Sequence, residues 1–208
     1  MLHVVDHPLI TMKLNKMRDE KTNSKDFRTL LDEIASLMTY EVYKDLKCVP
    51  SGNKIKTPTG VELDDLHLEY NLVVCPILRA GIGMSNGVIN MLPTAKIGHI
   101  GLYRDEKTLK PVEYFCKMPN VENPLVLICD PMLATGGSAI DAITMVKKRG
   151  FKNVRLLCLV GAPEGVKKVE EAHPDVEIFL CSLDERLNEN GYILPGLGDA
   201  GDRIFGTL

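Results

Sequence analysis

Short apolar runs that alternate with helical stretches constrain the fold of this chain most strongly. Five runs rich in β-branched residues have the length of buried strands, at residues 72–78, 97–103, 125–129, 154–160 and 176–181. Stretches with helical patterning fall between several of them, at about 81–91, 137–149 and 164–172. Strands that are apolar along their whole length are buried on both faces, and alternation with helices is typical of parallel sheets. The sequence therefore predicts an α/β fold with a central, mainly parallel sheet flanked by helices.

The remaining segments carry weaker signals. Residues 24–46 repeat apolar side chains at helical spacing, and Ser24 is the predicted N-cap. Residues 47–70 are rich in turn residues and predict a loop or a hairpin. Residues 104–118 begin with a polar stretch and return as a strand, which favours a hairpin arm. After Ser182 the chain is rich in glycine and irregular, and no further helix is predicted there.

Length and charge exclude several classes of protein. The chain has 208 residues and a formal net charge of −3, which predicts one domain and gives no support for a nucleic-acid or lipid partner. Its longest apolar run, residues 72–78, is far shorter than the roughly 20 residues of a membrane helix. The first residues lack the pattern of a signal peptide. We therefore expect a cytoplasmic protein that contacts neither membrane nor nucleic acid.

The six cysteines and five histidines show no metal-binding spacing. The sequence contains neither a C-x-x-C pair nor an H-E-x-x-H motif. Four of the cysteines lie within the apolar runs, namely Cys75, Cys129, Cys158 and Cys181. Because free cysteine behaves as a small apolar residue, we expect buried, reduced thiols and no metal site built by the protein.

The segment 125–138 carries the strongest functional signal. A buried strand ends at Asp130, and a short loop leads from it directly into a helix. The loop carries two hydroxyl side chains and two glycines, at Thr135, Ser138, Gly136 and Gly137. Unpaired N–H groups and the positive end of the helix dipole suit a phosphate there, whereas a carboxylate is suited to accept hydrogen bonds from sugar hydroxyls. The combination indicates a ligand with both groups, such as a ribose 5-phosphate.

Two better-known phosphate-binding loops do not match the sequence. A Walker A loop requires a lysine after its last glycine, and none follows Gly137. The dinucleotide fingerprint G-x-G-x-x-G is missed by residues 81–87, whose third glycine comes one position late.

Residues 126–138 resemble the 5-phosphoribosyl 1-diphosphate (PRPP) binding motif of the type I phosphoribosyltransferases. The variant found here is similar to that of the uracil phosphoribosyltransferases. Further segments match that family, at residues 76–81, 103–115 and 191–203, with 7–9 and 17–18 near the N-terminus. The resemblance implies the type I phosphoribosyltransferase fold as a single domain over 1–208. It also implies a β-arm at about 104–118 and a C-terminal hood over the base site at about 183–208.

The same resemblance implies an activity and roles for individual residues. The activity is phosphoribosyl transfer from PRPP to uracil, which gives UMP and diphosphate in pyrimidine salvage. The implied catalytic residues, which also bind PRPP, are Arg79, Arg104, Asp130 and Asp199. The rest of the implied PRPP site is Pro131, Met132, Leu133, Ala134, Thr135, Gly136, Gly137 and Ser138. Uracil is implied to contact Ile193, Gly198, Asp199 and Ala200.

Physical reasons support the PRPP-binding roles that are implied for the two arginines. The diphosphate gains negative charge as its bond to the sugar breaks, and fixed cations stabilise that charge. Arg79 ends a buried strand, while Arg104 opens the polar arm and is placed to close over a ligand. No residue of the sequence stands out as a general base, so we expect bond breaking to run ahead of attack by the base.

The resemblance also implies a cofactor and partners. Mg²⁺ is expected on the diphosphate, since the sequence has Cys129-Asp130 where many members of the wider class have two acids. A homodimer or a higher homo-oligomer is expected, with GTP as a candidate allosteric effector.

Two alternatives stay open at this point. One is a regulator with the same fold that binds RNA, which the net charge of −3 disfavours. The other is a phosphoribosyltransferase for a purine base or for orotate. Orotate requires a cation for its carboxylate, and Arg203 is the residue that the C-terminal segment offers for it.

Overall fold

The computed structural model describes residues 1–104 and 111–207, without the side chains of Arg104 and Pro111. The strands within these residues are β1 (Leu2–Val4), β2 (Cys48–Lys56), β3 (Glu62–Leu68), β4 (Asn71–Leu78), β5 (Lys96–Ile97), β6 (His99–Arg104), β7 (Pro111–Lys117), β8 (Pro124–Cys129), β9 (Met132–Leu133), β10 (Asn153–Gly161), β11 (Glu177–Leu183), β12 (Arg186–Leu187) and β13 (Ile193–Leu194). The helices are α1 (Pro8–Arg18), α2 (Ser24–Val42), α3 (Ile82–Met91), α4 (Gly137–Lys148), α5 (Pro163–Ala172) and α6 (Ala200–Phe205).

The main sheet follows the order β1-β11-β10-β8-β4-β6-β7. All neighbouring strands on this path are parallel except β6 and β7, which are antiparallel. The short strands β5 and β9 add to β4 and β10. Because the central strands are parallel, their carboxyl ends meet at one edge of the sheet, which is where ligands bind in open α/β folds.

Helices cover both faces of this sheet. On one face, side chains of α1, α2, α3 and α6 pack into a single buried cluster with the strands. On the other face, α4 and α5 form a second cluster with the opposite side chains of the same strands. Burial on both faces explains why the strands read as continuous apolar runs. The predicted α/β architecture with a mainly parallel sheet is confirmed.

The hairpin expected within 47–70 is formed by β2 and β3, which pair with each other as a separate sheet. The arm expected at about 104–118 is formed in part: β7 pairs antiparallel with β6, and residues 105–110 lie outside the described residues. The four cysteines expected to be buried are buried, and all six cysteines are free thiols. None of the helices in the described part of the chain has the length and apolar character required to cross a bilayer.

Three details of the sequence prediction are wrong. The N-cap of α2 is Asn23, whose side chain accepts from the backbone N–H of Asp26, so Ser24 is the first helical residue instead. The same helix ends at Val42, four residues earlier than the apolar pattern indicates. A helix also follows Ser182, since Asp199 caps the six-residue α6. Helices this short carry too little periodicity to be detected in the sequence.

Helix α1 is a second element without a sequence prediction. It begins after His7, whose ring accepts a hydrogen bond from the backbone of Leu9 at 3.2 Å, and Pro8 occupies its first turn. Only three of its eleven side chains are buried, namely Ile10, Leu14 and Met17. Such a narrow apolar stripe gives a weak periodic signal.

Candidate active site

A cavity of about 270 Å³ opens at the carboxyl end of β8, in front of helix α4. Asp130 directly follows the strand, and its backbone N–H donates to the carbonyl of Leu157 at 3.1 Å. The loop from Met132 to Ser138 and the first turn of α4 form the cavity wall. Asn190 and Gly191 close the cavity from the C-terminal segment. Backbone N–H groups, hydroxyls and one carboxylate therefore face the same space.

Glycines fix the path of this loop. Gly136 has φ +82°, a conformation that side chains disfavour, and it precedes α4 without any side-chain cap on the helix. A Cβ atom on Gly136 would lie 2.9 Å from the carbonyl oxygen of Gly165 in α5. A Cβ on Gly165 would lie only 2.3 Å from the carbonyl oxygen of Ala134. The backbones of the loop and α5 are thus in direct contact, and the uncapped end of α4 remains suited to an anion.

The carboxyl group of Asp130 is half-buried at the end of its strand. Burial raises its pKa to about 7, and a hydrogen bond with the backbone of Met132 opposes this shift only in part. Desolvation disfavours the charged form of an acid. A ligand that donates hydrogen bonds to this carboxylate would stabilise its ionised form.

Arg79 directly follows β4, the strand that neighbours β8 in the sheet. The two strands are parallel and pair Pro76 with Cys129. Gly81 brings the turn after β4 onto β8, because a Cβ there would lie 2.3 Å from the carbonyl oxygen of Cys129. The Arg79 side chain is 60% exposed, and its Nη2 lies 3.7 Å from a carboxylate oxygen of Asp202. This guanidinium is therefore available to an anionic ligand.

The C-terminal segment meets Arg79 through α6. A Cβ on Gly201 would lie 3.2 Å from Oδ1 of Asp199 and 3.8 Å from Nη2 of Arg79. Ile193 and Ala200 have buried side chains, so a ligand here would contact their backbone. Gly198 is exposed and has φ +73°.

The structure brings some of the expected site residues together and leaves others apart. Asp130 and residues 132–138 line the cavity, whereas Pro131 between them does not. Arg79, Ile193, Gly198, Asp199 and Ala200 also lie outside its lining. They form a second group at the same edge of the sheet. Arg104 is the last residue of β6. Its side chain is not among the parts of the chain that the structure describes.

Ala139 in α4 and two residues of the C-terminal segment line the cavity without a sequence prediction as ligands. The two from the C-terminal segment are Asn190 and Gly191. They belong to a turn in which the side chain of Asn188 accepts from the backbone of Asn190 and of Tyr192. The run Asn188-Glu-Asn-Gly signals this turn, but only the fold shows that it faces the loop after β8.

Asp199 has a structural role that can be separated from any role of its charge. Its side chain accepts from the backbone N–H of Asp202 at 2.9 Å and caps α6. Asparagine caps helices as well as aspartate does. We expect Asp199→Asn to keep the melting temperature and to lower turnover about tenfold, whereas Asp199→Ala lowers both. Steady-state assays and thermal melts check this, and near-normal turnover in Asp199→Asn would exclude a central role for the charge.

A carboxylate and an open helix N-terminus around one cavity, with an arginine directly after the neighbouring parallel strand, are typical of α/β proteins that bind phosphorylated ligands at the carboxyl ends of their strands. Comparison with known proteins narrows this class. The family model described as "Uracil phosphoribosyltransferase" matches residues 4–207, and the chain belongs to that family.

Individual relatives agree with this assignment over their full length. A uracil phosphoribosyltransferase of Clostridium acetobutylicum is 59% identical over 98% of this chain and 97% of its own. The corresponding protein of Mycoplasma mobile is 55% identical over 100% of both chains. Among solved structures, a protein of Aquifex aeolicus superposes with a TM-score of 0.91 at 38% identity, covering 99% of this chain and 98% of its own.

Proposed function

We propose that this protein transfers the phosphoribosyl group of PRPP to uracil, giving UMP and diphosphate. The observation that carries the proposal is the cavity formed by Asp130, the glycine-containing loop and the start of α4, in a chain of this family. In the reaction the C1′–oxygen bond breaks and its electron pair leaves with the diphosphate. A bond from N1 of uracil to C1′ forms, and the N1 proton is released.

Each part of the sugar phosphate has a chemical counterpart in the site. The 5′-phosphate is assigned to the N–H and hydroxyl groups of residues 134–138, at the positive end of the α4 dipole. The ribose hydroxyls are assigned to the Asp130 carboxylate. Arg79 is assigned to the diphosphate, where an exposed guanidinium offers paired donors to phosphate oxygens. Arg104 is proposed for the same group.

Mg²⁺ is proposed to enter with the diphosphate. Within residues 1–104 and 111–207, no group of three or more His, Cys, Asp or Glu side chains is arranged to hold a metal ion. A single carboxylate, substrate oxygens and waters suit Mg²⁺, which retains several waters in most sites. When bound, the ion would neutralise charge on the leaving diphosphate, and Asp130 is the carboxylate of the cavity lining that would be available to it.

The base is proposed to bind at the C-terminal segment, about 183–208, as a hood above the sugar. Uracil can be recognised by backbone N–H and C=O groups, which Ile193, Gly198, Asp199 and Ala200 offer there. Arg203 does not supply the cation that orotate requires, since its guanidinium donates to the carbonyls of Leu197 and Asp19 at 2.9 and 2.7 Å. It also stacks on the Phe27 ring at 4.5 Å. Because these contacts occupy Arg203, it is not free to pair with the carboxylate of orotate, which favours uracil as the base.

The test of the proposal is UMP formation from labelled uracil with PRPP and Mg²⁺, with orotate, hypoxanthine and cytosine as parallel bases. Product from uracil alone is the expected result. Product from another base would move the assignment to that base. No product with any base, together with intact PRPP binding, would favour the RNA-binding regulator.

Binding of PRPP is expected to release a proton from Asp130. The pKa of this carboxyl is about 7 in the free protein, and hydroxyl donors lower it because they stabilise the carboxylate. PRPP affinity is therefore expected to rise with pH up to about 7, and about half a proton leaves Asp130 per binding event at that pH. Titration calorimetry in two buffers of different ionisation enthalpy measures the released protons.

The matched control is Asp130→Asn, which removes this carboxyl and leaves the other groups that exchange protons in place. The difference between wild type and this variant isolates the contribution of Asp130. Equal proton release in both proteins would contradict the assignment of the ribose hydroxyls to Asp130.

A homodimer or higher homo-oligomer is also proposed, with GTP as a candidate effector. Hairpin β2–β3 supports the assembly, since it pairs with no other strand of the described residues and exposes Ile55, Val61, Leu63 and Leu66. Exposed apolar clusters of this kind mark contact surfaces. Light scattering after gel filtration measures the assembly, and turnover with added GTP tests the effector.

A further inference from the structure

An ion pair with a buried carboxylate joins the N-terminal part of the chain to its C-terminal segment. Asp184 follows β11, and its side chain is only 1% exposed. Its two carboxylate oxygens accept hydrogen bonds from both terminal nitrogens of Arg18, at 2.7 and 2.8 Å. They also accept from the hydroxyl of Ser182 at 2.7 Å and the backbone N–H of Gly196 at 2.9 Å. Both oxygens of this buried carboxylate are thus hydrogen-bonded.

The pair forms hydrogen bonds with both backbone polar groups of one residue in the C-terminal segment, Gly196. Asp184 accepts from the N–H of Gly196, and Nη1 of Arg18 donates to the carbonyl oxygen of the same glycine at 2.8 Å. Gly196 has φ +63°, and a Cβ there would lie 2.1 Å from the carbonyl oxygen of Ile193. The turn after Ile193 is therefore fixed at Gly196, between the residues proposed to contact the base.

Stability alone does not explain such a pair. Removing two charges from water costs free energy that their attraction only partly offsets, and apolar side chains often serve stability equally well. A guanidinium that donates to a carboxylate and a carbonyl at once instead defines one geometry. This geometry is imposed on a short turn that has no regular secondary structure of its own.

We propose that Arg18 and Asp184 are positioning residues of the base site. By holding Gly196 they set the backbone of residues 193 and 198–200 in the orientation that receives the base. They do not touch the base or the sugar. The inference rests on the proposed function, because it takes these residues as the uracil contacts.

The experiment compares Asp184→Asn and Arg18→Lys with a control pair of the same chemistry. Lysine keeps the positive charge of Arg18 but cannot reproduce its forked contacts to Asp184 and Gly196. The control is Asp45→Asn, which removes the partner that accepts from Arg155 at 2.6 and 2.9 Å. Arg155 pairs in register with Glu177 at the start of β11. Asp184 lies seven positions after Glu177, so the control lies roughly 23 Å away in the direction of the strand.

We expect the KM for uracil to rise about tenfold in both test variants, while kcat stays within about threefold of wild type. This corresponds to about 1.4 kcal/mol. The Kd for PRPP, measured by calorimetry without uracil, stays within about twofold. Asp45→Asn lowers the melting temperature without changing the KM for uracil. Arg18→Lys retains both charges and supplies the test if Asp184→Asn does not fold.

Different results would overturn the proposed function and the positioning role. A wild-type chain that is inert toward uracil overturns the proposed function and this inference with it. An active wild type whose Arg18→Lys and Asp184→Asn variants keep the normal KM overturns the positioning role alone. An equal rise of KM in Asp45→Asn does the same, since it would trace the effect to general destabilisation.

Discussion

Replacement of Arg79 by methionine is expected to lower kcat/KM by about a hundred- to a thousandfold, the usual effect of removing one preorganised group that stabilises developing charge. The Arg79 side chain makes few contacts that stabilise the fold. It is 60% exposed, 3.7 Å from Asp202 and 5.7 Å from the centre of the Phe205 ring. Exposed ion pairs contribute about 0–1 kcal/mol, so the melting temperature should change little. Steady-state kinetics and thermal melts measure the two effects separately.

Arg149→Met is the matched control for this variant. Arg149 follows α4 at the end remote from the cavity, and its guanidinium lies 2.6 Å from Glu113. Its loss should cost at least as much stability as the loss of Arg79 and leave turnover unchanged. A similar loss of activity in both variants, or none in Arg79→Met, would contradict the assignment of Arg79 to the diphosphate.

Gly165→Ala is expected to weaken PRPP binding about a hundredfold, although Gly165 lies in α5 and does not line the cavity. Helix propensity alone would make alanine the better residue by about 1 kcal/mol. Its Cβ, however, would lie 2.3 Å from the carbonyl oxygen of Ala134 and 2.9 Å from that of Leu133. The loop must move by about 1 Å to accept it, and displacements of that size can cost a hundredfold.

Calorimetric titration with PRPP measures this affinity, and Lys168→Ala on the exposed side of the same helix is the control. The melting temperature of Gly165→Ala should fall only modestly, because the propensity gain offsets part of the overpacking. Unchanged PRPP affinity would show that contact with α5 does not set the loop conformation, or that the loop does not hold the phosphate.

The fold was predictable wherever burial leaves a local pattern. The core strands β4, β8, β10 and β11 are buried on both faces, so each is a mainly apolar run in the sequence. Helix α6 left no such pattern, because its six residues are defined by a cap at Asp199 and by contacts with distant residues. The order of the strands in the sheet also depends on distant pairing, and alternation alone does not specify it.

The site residues also divide into those that the sequence reveals and those that it does not. The loop from Asp130 to Ser138 is contiguous, so its carboxylate, hydroxyls and glycines can be recognised together in the sequence. Asn190 contributes to the same cavity from about fifty residues further along the chain. Arg18 and Asp184 are 166 residues apart. Arg18 lies in a segment that matches the family, but nothing around it in the sequence points to Asp184. Only the three-dimensional structure shows that they meet.

This separation has a consequence for biosynthesis. Arg28 donates to the carbonyl of Ile204 and Arg203 to that of Asp19, contacts that span 176 and 184 residues. The N-terminal partner of each contact is synthesised well before the C-terminal one. At 5–20 residues per second, synthesis of the 184 residues from Asp19 to Arg203 takes roughly 10–40 s. During that time Arg28 and the carbonyl of Asp19 lack these partners, so the proposed base site forms late in the synthesis of this domain.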